Sequence, residues 1–166
     1  MQIITINSFL DYYNKIRKRT LRVIASIPED KMEWSPKPEK MTFGDIIRHI
    51  ATIERYMYGE TVQGKKSKYP GYGKELSTDY PTVVDFMNTL HKESLEIFSK
   101  LSPERLQQKC LTPADTPITI WKWLRAMVEH EIHHRGHIYA NLGYLGVKTP
   151  PIFGLTSEEV RDKSAP

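Results

Sequence analysis

Four of the six histidines in this 166-residue chain fall between His130 and His137, in the run VEHEIHHRGH. A neutral imidazole carries a lone pair that suits a divalent ion, and two histidines four residues apart on a helix lie one turn from each other on one face. His130 and His134 have that spacing. At about 100° per residue they fall on or beside the side defined by Trp123, Met127, Ile138, Leu142 and Leu145. His133 and His137 turn toward the polar sector that holds Lys122 and Glu129. The inward pair is therefore the candidate for chemistry, while His133, His137 and the distant His91 read as boundary or surface residues, one of which could support the ligands from outside.

Two ligands on one helix hold a metal poorly, so a third must come from another segment. In TFGDIIRHIATIERYMY, His49 lies at the edge of the face formed by Phe43, Ile46, Ile50, Ile53 and Met57. Two such edges can meet across a groove in an antiparallel bundle. His49, His130 and His134 would then form a three-histidine site with coordination positions left open.

His130, Glu131 and His134 also spell H-E-x-x-H, the short motif of zinc proteases, where the glutamate activates water. That chemistry needs a further downstream ligand and an edge strand to receive a peptide. Here few residues follow His134, no sheet is predicted, and Glu131 points deeper into the bundle than its neighbours. Arg135, four residues on, is its expected ion-pair partner. The protease reading is set aside.

The elements that would position these residues are helices. Apolar residues recur at helical spacing over four segments: from about Ser8, with Asn7 or Ser8 as cap, to Ile27; from Thr42 to about Tyr58; from about Thr82 to Leu101; and from near Thr119 into NLGYLGVKTPP. Thr42 and Asp45 have the spacing of a capping box. Pro28, Pro36 and Pro38 interrupt the first connection, and the stretch 64–81 has the glycine and proline content of a long irregular loop. No convincing alternation of strand type appears, and the tail TSEEVRDKSAP reads as a short helix followed by coil. The expected fold is all-α, a four-helix bundle in a single domain over 1–166.

Composition narrows the partners. The hydrophobic share is 39% and the charged share 27%, ordinary for a packed globular domain. A net charge of +4 would permit an acidic partner, but the basic residues cluster only in KIRKR (Lys15 to Arg19) and GKKSK (Gly64 to Lys68), so nucleic acid is not expected. The single cysteine, Cys110, excludes an internal disulfide and fits a reducing, cytoplasmic setting. Neither a signal sequence nor a membrane span is read.

HIATIERYMYG from His49 and VEHEIHHRGHIYANLGYLGVKTPP from Val128 resemble the two signature segments of the DinB/YfiT-like superfamily. The resemblance implies a four-helix bundle that binds one divalent metal ion, commonly nickel or zinc, through a histidine of the second helix and an H-x-x-x-H pair of the last long helix. The matching positions are His49, His130 and His134. His137 stands where such proteins usually have glutamine after the glycine. Some members are similar to S-transferases or isomerases that use a low-molecular-weight thiol such as bacillithiol or mycothiol; others are described as metal-dependent hydrolases.

Two function classes follow. In the first, the chain is a metal-dependent enzyme in which water or a thiol is activated for hydrolysis or S-transfer on a small-molecule substrate. Glu54, Tyr56 and the 64–81 loop, with Tyr69, Tyr72, Lys65 and Lys66, are the groups that could orient that substrate. In the second, it is a non-enzymatic bundle with a structural metal, acting in stress-related partner binding or in self-association. A second apolar stripe on the last helix, formed by Trp121, Val128, Ile132 and Tyr139, makes a homodimer the expected assembly.

Overall fold

The computed structural model describes residues 3–164. Four long helices run as α1 (Ile6–Ile24), α2 (Phe43–Thr52), α3 (Tyr80–Phe98) and α5 (Ile120–Tyr144), with shorter helices α4 (Pro103–Gln107) and α6 (Ser157–Ser164) between and after them. Past Thr52 the α2 rod continues through a π-helical stretch, Ile53–Tyr58, and a last turn, Gly59–Thr61. The pairs α1 and α5, α5 and α2, α2 and α3, and α3 and α1 each pack together. This closes a four-helix bundle in which α5 lies between α1 and α2.

The caps explain where the helices begin. Thr42 and Asp45 exchange side-chain and backbone hydrogen bonds as the expected capping box. In α1 the cap is Thr5, whose hydroxyl accepts from the Ser8 amide, so the helix starts before Asn7 and Ser8 and ends at Ile24 rather than Ile27. The α3 helix starts at Tyr80 because Asp79 accepts from the Thr82 amide, with Pro81 placed in the first turn where no amide is needed. Two elements were absent from the sequence reading: α4, and a hairpin of two three-residue strands, β1 (Lys109–Leu111) and β2 (Pro117–Thr119), paired Cys110 to Ile118. Cys110 is the buried residue of β1, and burial pushes its thiol pKa up.

The core has two hydrophobic ends and a polar waist. One end gathers Phe9, Tyr13, Phe98, Leu106, Ile120 and Leu124; the other gathers Ile24, Phe43, Ile47, Met87, Ile138 and Leu142. Between them each long helix contributes buried polar groups: Arg17 and Thr20 from α1, Thr52 and Glu54 from the α2 rod, His91 and Ser94 from α3, and Glu131, His134 and Arg135 from α5. The guanidinium of Arg17 donates to Glu54 and to Glu131, the latter at 2.9 Å, and to the Tyr13 hydroxyl at 3.0 Å. His91 Nδ1 lies 2.8 Å from the other Glu54 oxygen. Glu131 is therefore structural, as expected, but its partner is Arg17 of α1 and not Arg135. A helix in a bundle faces its neighbours across a low-dielectric interior, and there an interhelical pair displaces the i,i+4 pair. Arg135 is 4% exposed, and burial lowers its pKa despite the nearby Glu131.

Candidate metal centre

His49 projects from α2 and His130 and His134 from α5, and one ring nitrogen from each lies within 4.8 Å of the others. The three residues singled out from spacing are thus brought together at the α2/α5 groove, at the level of the polar waist. His49 Nε2 and His130 Nε2 are 3.1 Å apart, a separation that two nitrogens each about 2.1 Å from one shared ion can span. His134 is the most buried of the three, and its Nδ1 has no hydrogen-bond partner.

The electrostatics favour neutral donors. Burial, then the neighbouring histidines, lowers the pKa of His134 to about 3. The same causes bring His130 to about 4, and burial lowers His49. All three rings therefore keep free lone pairs at neutral pH, the form that a divalent ion requires. The donor set, its convergence and the unpartnered nitrogen fit a first-row divalent ion. Three protein ligands leave positions open, and zinc or nickel both suit imidazole.

The loop 64–81 completes the site. Tyr69 places its hydroxyl 2.7 Å from His49 Nδ1, and the Tyr72 ring stands edge-on to His49 at 5.6 Å. If the Tyr69 oxygen accepts, the Nδ1 proton is fixed and Nε2 is left free, the arrangement by which groups behind a metal ligand set its tautomer. Arg48, the residue next to His49, holds the loop in place. Its side chain is fully buried and donates to the carbonyls of Tyr72 and Ser77, each at 2.8 Å, and to Glu33 and Asp45 at 3.0 and 2.8 Å. Thr52 adds a bond to the Gly71 carbonyl at 2.9 Å. Gly44 makes room for this arrangement, since a Cβ there would stand 2.7 Å from a Glu33 oxygen and 2.9 Å from Arg48 Nη1.

Neither Arg48 nor Arg17 was picked out from the sequence. The available signal was a charged residue inside an otherwise apolar arc, as in FGDIIRHIAT.

The other candidates separate. Glu54 is buried in the waist, paired with Arg17 and His91. Tyr56 is half-buried with Arg55 over its ring. Lys65 and Lys66 line a different cavity of about 680 Å³, with Arg105 and Lys109. Beside the triad, one turn further along α5, a cavity of about 650 Å³ is lined by Trp34, Lys37, Lys40, Ile46, His137 and Tyr144. None of the three clustered histidines lines it; it approaches the cluster through His137, whose ring lies 5.3 Å from that of His134.

A family model for the DinB superfamily matches residues 12–138. The chain belongs to the DinB superfamily. A curated relative, the uncharacterized protein YjoA of Bacillus subtilis (strain 168), is 23% identical over 149 residues, 89% of this chain and 95% of the relative. A crystal structure of that DinB-like protein superposes with a TM-score of 0.72 at 20% identity, covering 90% of this chain and 99% of the other. A DinB-like protein of Bacillus cereus ATCC 10987 gives 0.71 at 20% identity, over 89% and 97%. TT2238, a four-helix bundle protein, gives 0.63 at 18% identity, over 82% and 99%. These structures share the fold, and the three-histidine cluster fits a metal-binding family. Among the described residues no helix is long and apolar enough to cross a membrane.

Proposed function

We propose that the chain is a metal-dependent enzyme acting on a small molecule by hydrolysis or S-transfer, with His49, His130 and His134 as ligands to one nickel or zinc ion. The observation that carries this reading is the convergence of three neutral imidazoles at a groove that leaves ligand positions open. An ion bound there supplies the charge that makes a nucleophile of water or of a low-molecular-weight thiol at neutral pH. The chain's own residues do the rest. Tyr69 orients His49, and Arg48 holds the loop that carries Tyr69. The cavity one turn along α5, reached from the cluster through His137, is of a size for a small molecule, and Lys37 and Lys40 at its rim favour an anionic group on the substrate or thiol.

The deciding experiment is a screen of metal-loaded protein against ester and alkylating substrates, with and without bacillithiol or glutathione, comparing wild type with His134→Ala. Metal-dependent turnover lost in the variant is expected. Equal activity in the two proteins would remove the histidine cluster from the mechanism.

A homodimer in the cytoplasm is part of the proposal. Of the second apolar stripe, Val128 is buried and Trp121 and Tyr139 are half-buried, which leaves Ile132, at 36% exposure, as the residue available for a subunit contact. Light scattering should give a dimer for wild type and a folded monomer for Ile132→Glu; a monomeric wild type at micromolar concentration refutes the assembly.

A further inference from the structure

His133 and His137 take no part in the three-histidine cluster, yet their placement is specific. Both are exposed on α5, four residues apart, and their rings lie 4.3 Å from each other. Among the described residues neither ring has a hydrogen-bond partner. Glu129, one turn before His133 on the same helix, is engaged by Arg125 at 3.1 Å. Two unengaged imidazoles one helical turn apart can offer a nitrogen each to one divalent ion.

These two rings also touch the buried cluster. His134 lies 5.1 Å from His133 and 5.3 Å from His137, centroid to centroid. His130 lies 4.5 Å from His134, and His49 lies 5.0 Å from His130 and 4.7 Å from His134. The five imidazoles form an unbroken chain that starts in solvent and ends at the half-buried groove. An ion passed along such a chain would exchange water and outer imidazoles for inner ones one at a time, without being stripped of all its ligands in one step.

We propose that His133 and His137 form an outer site for a divalent transition-metal ion such as nickel(II) or zinc(II), from which the ion passes through His134 to the three-histidine cluster. The delivery step rests on the assignment of that cluster as the metal site; the outer site does not. A site of two ligands on one helix holds its ion weakly and exchanges it readily, as an entry position must. A site of three buried donors binds more tightly and retains the ion.

The test is calorimetric titration of tag-free, chelator-treated protein with nickel(II), on wild type, His133→Gln/His137→Gln and His130→Ala, with circular dichroism to confirm the fold. Both outer side chains are exposed, so the double variant should fold as wild type does. Wild type should show one tight and one weak equivalent. The double variant should keep only the tight one, and His130→Ala should keep the weak one while losing the tight one. In stopped-flow loading, the double variant should fill the tight site several-fold more slowly to the same final occupancy. A weak event that survives in the double variant, or a single equivalent in wild type that the double variant retains, overturns the outer site. An unchanged loading rate overturns the delivery step. A single weak event in wild type that the double variant abolishes upholds the outer site and instead overturns the three-histidine assignment.

Discussion

A single hydroxyl decides how well His49 can serve as a ligand. Tyr69 is the hydrogen-bond partner of His49 Nδ1, and removal of such a supporting group typically lowers metal affinity about 10- to 100-fold while the ligand set stays intact. Tyr69→Phe keeps the ring and its edge-on contact with His49 but loses the hydroxyl. Nickel affinity measured by competition with a chelator should fall within that range, with one tight equivalent still bound; an unchanged affinity would mean that Tyr69 merely covers the site. At this scale the clustering of three histidines was legible in the sequence and their support was not. His49 and His130 sit on the edge of a periodic apolar face and His134 within one, so the helical repeat turns all three inward. Tyr69 reaches His49 through a loop whose course depends on Arg48, and no local pattern encodes which carbonyls a buried guanidinium will bind.

Between the helices, the polar waist governs stability. Arg17 of α1 pairs with two buried carboxylates, Glu54 of the α2 rod and Glu131 of α5. A buried ion pair adds little net stability when complete, but breaking one strands a charge in the core and costs roughly 3–5 kcal/mol. Arg17→Met should therefore lower the urea midpoint sharply without changing the helical spectrum of the folded state. Glu54 also sets a pH dependence. Burial pushes its carboxyl up, but Arg17 and His91 outweigh that and hold its pKa below the ordinary 4.5. The folded pKa being the lower one, this contribution is complete above about pH 4.5 and is lost as the pH falls toward the folded value. Thermal melts taken from pH 6 to pH 3 should thus fall more steeply for wild type than for Glu54→Gln. The four long helices were readable because their apolar repeat is strong, whereas their ends moved by a few residues because Thr5 and Asp79, and not the nearest apolar positions, cap them. The hairpin went unseen because three-residue strands are too short to show alternation. The Glu131–Arg135 pair was misassigned because sequence spacing shows partners along one helix and hides those across the bundle.

The whole molecule distinguishes a metal that works from a metal that holds the fold. Both hydrophobic ends of the core are built without the three histidines, and the waist that joins them is tied together by Arg17, which bonds to Glu54 and Glu131. A domain of this size buries enough surface to fold without a structural ion. Binding to the native state alone adds RT ln(1 + [L]/Kd), about 2.7 kcal/mol at a hundredfold excess of free metal over Kd and about 4.1 at a thousandfold. For a domain of 150 to 250 residues each kcal/mol moves Tm by roughly 2–4 °C. Chelated protein should therefore keep its helical circular dichroism and melt cooperatively, roughly 5–15 °C below the nickel-loaded form under those conditions. His49→Ala should melt near the chelated value whether or not nickel is added. Collapse of the helical signal on chelation would instead make the ion part of the fold, and the enzyme reading would give way to that of a metal-stabilised binding module.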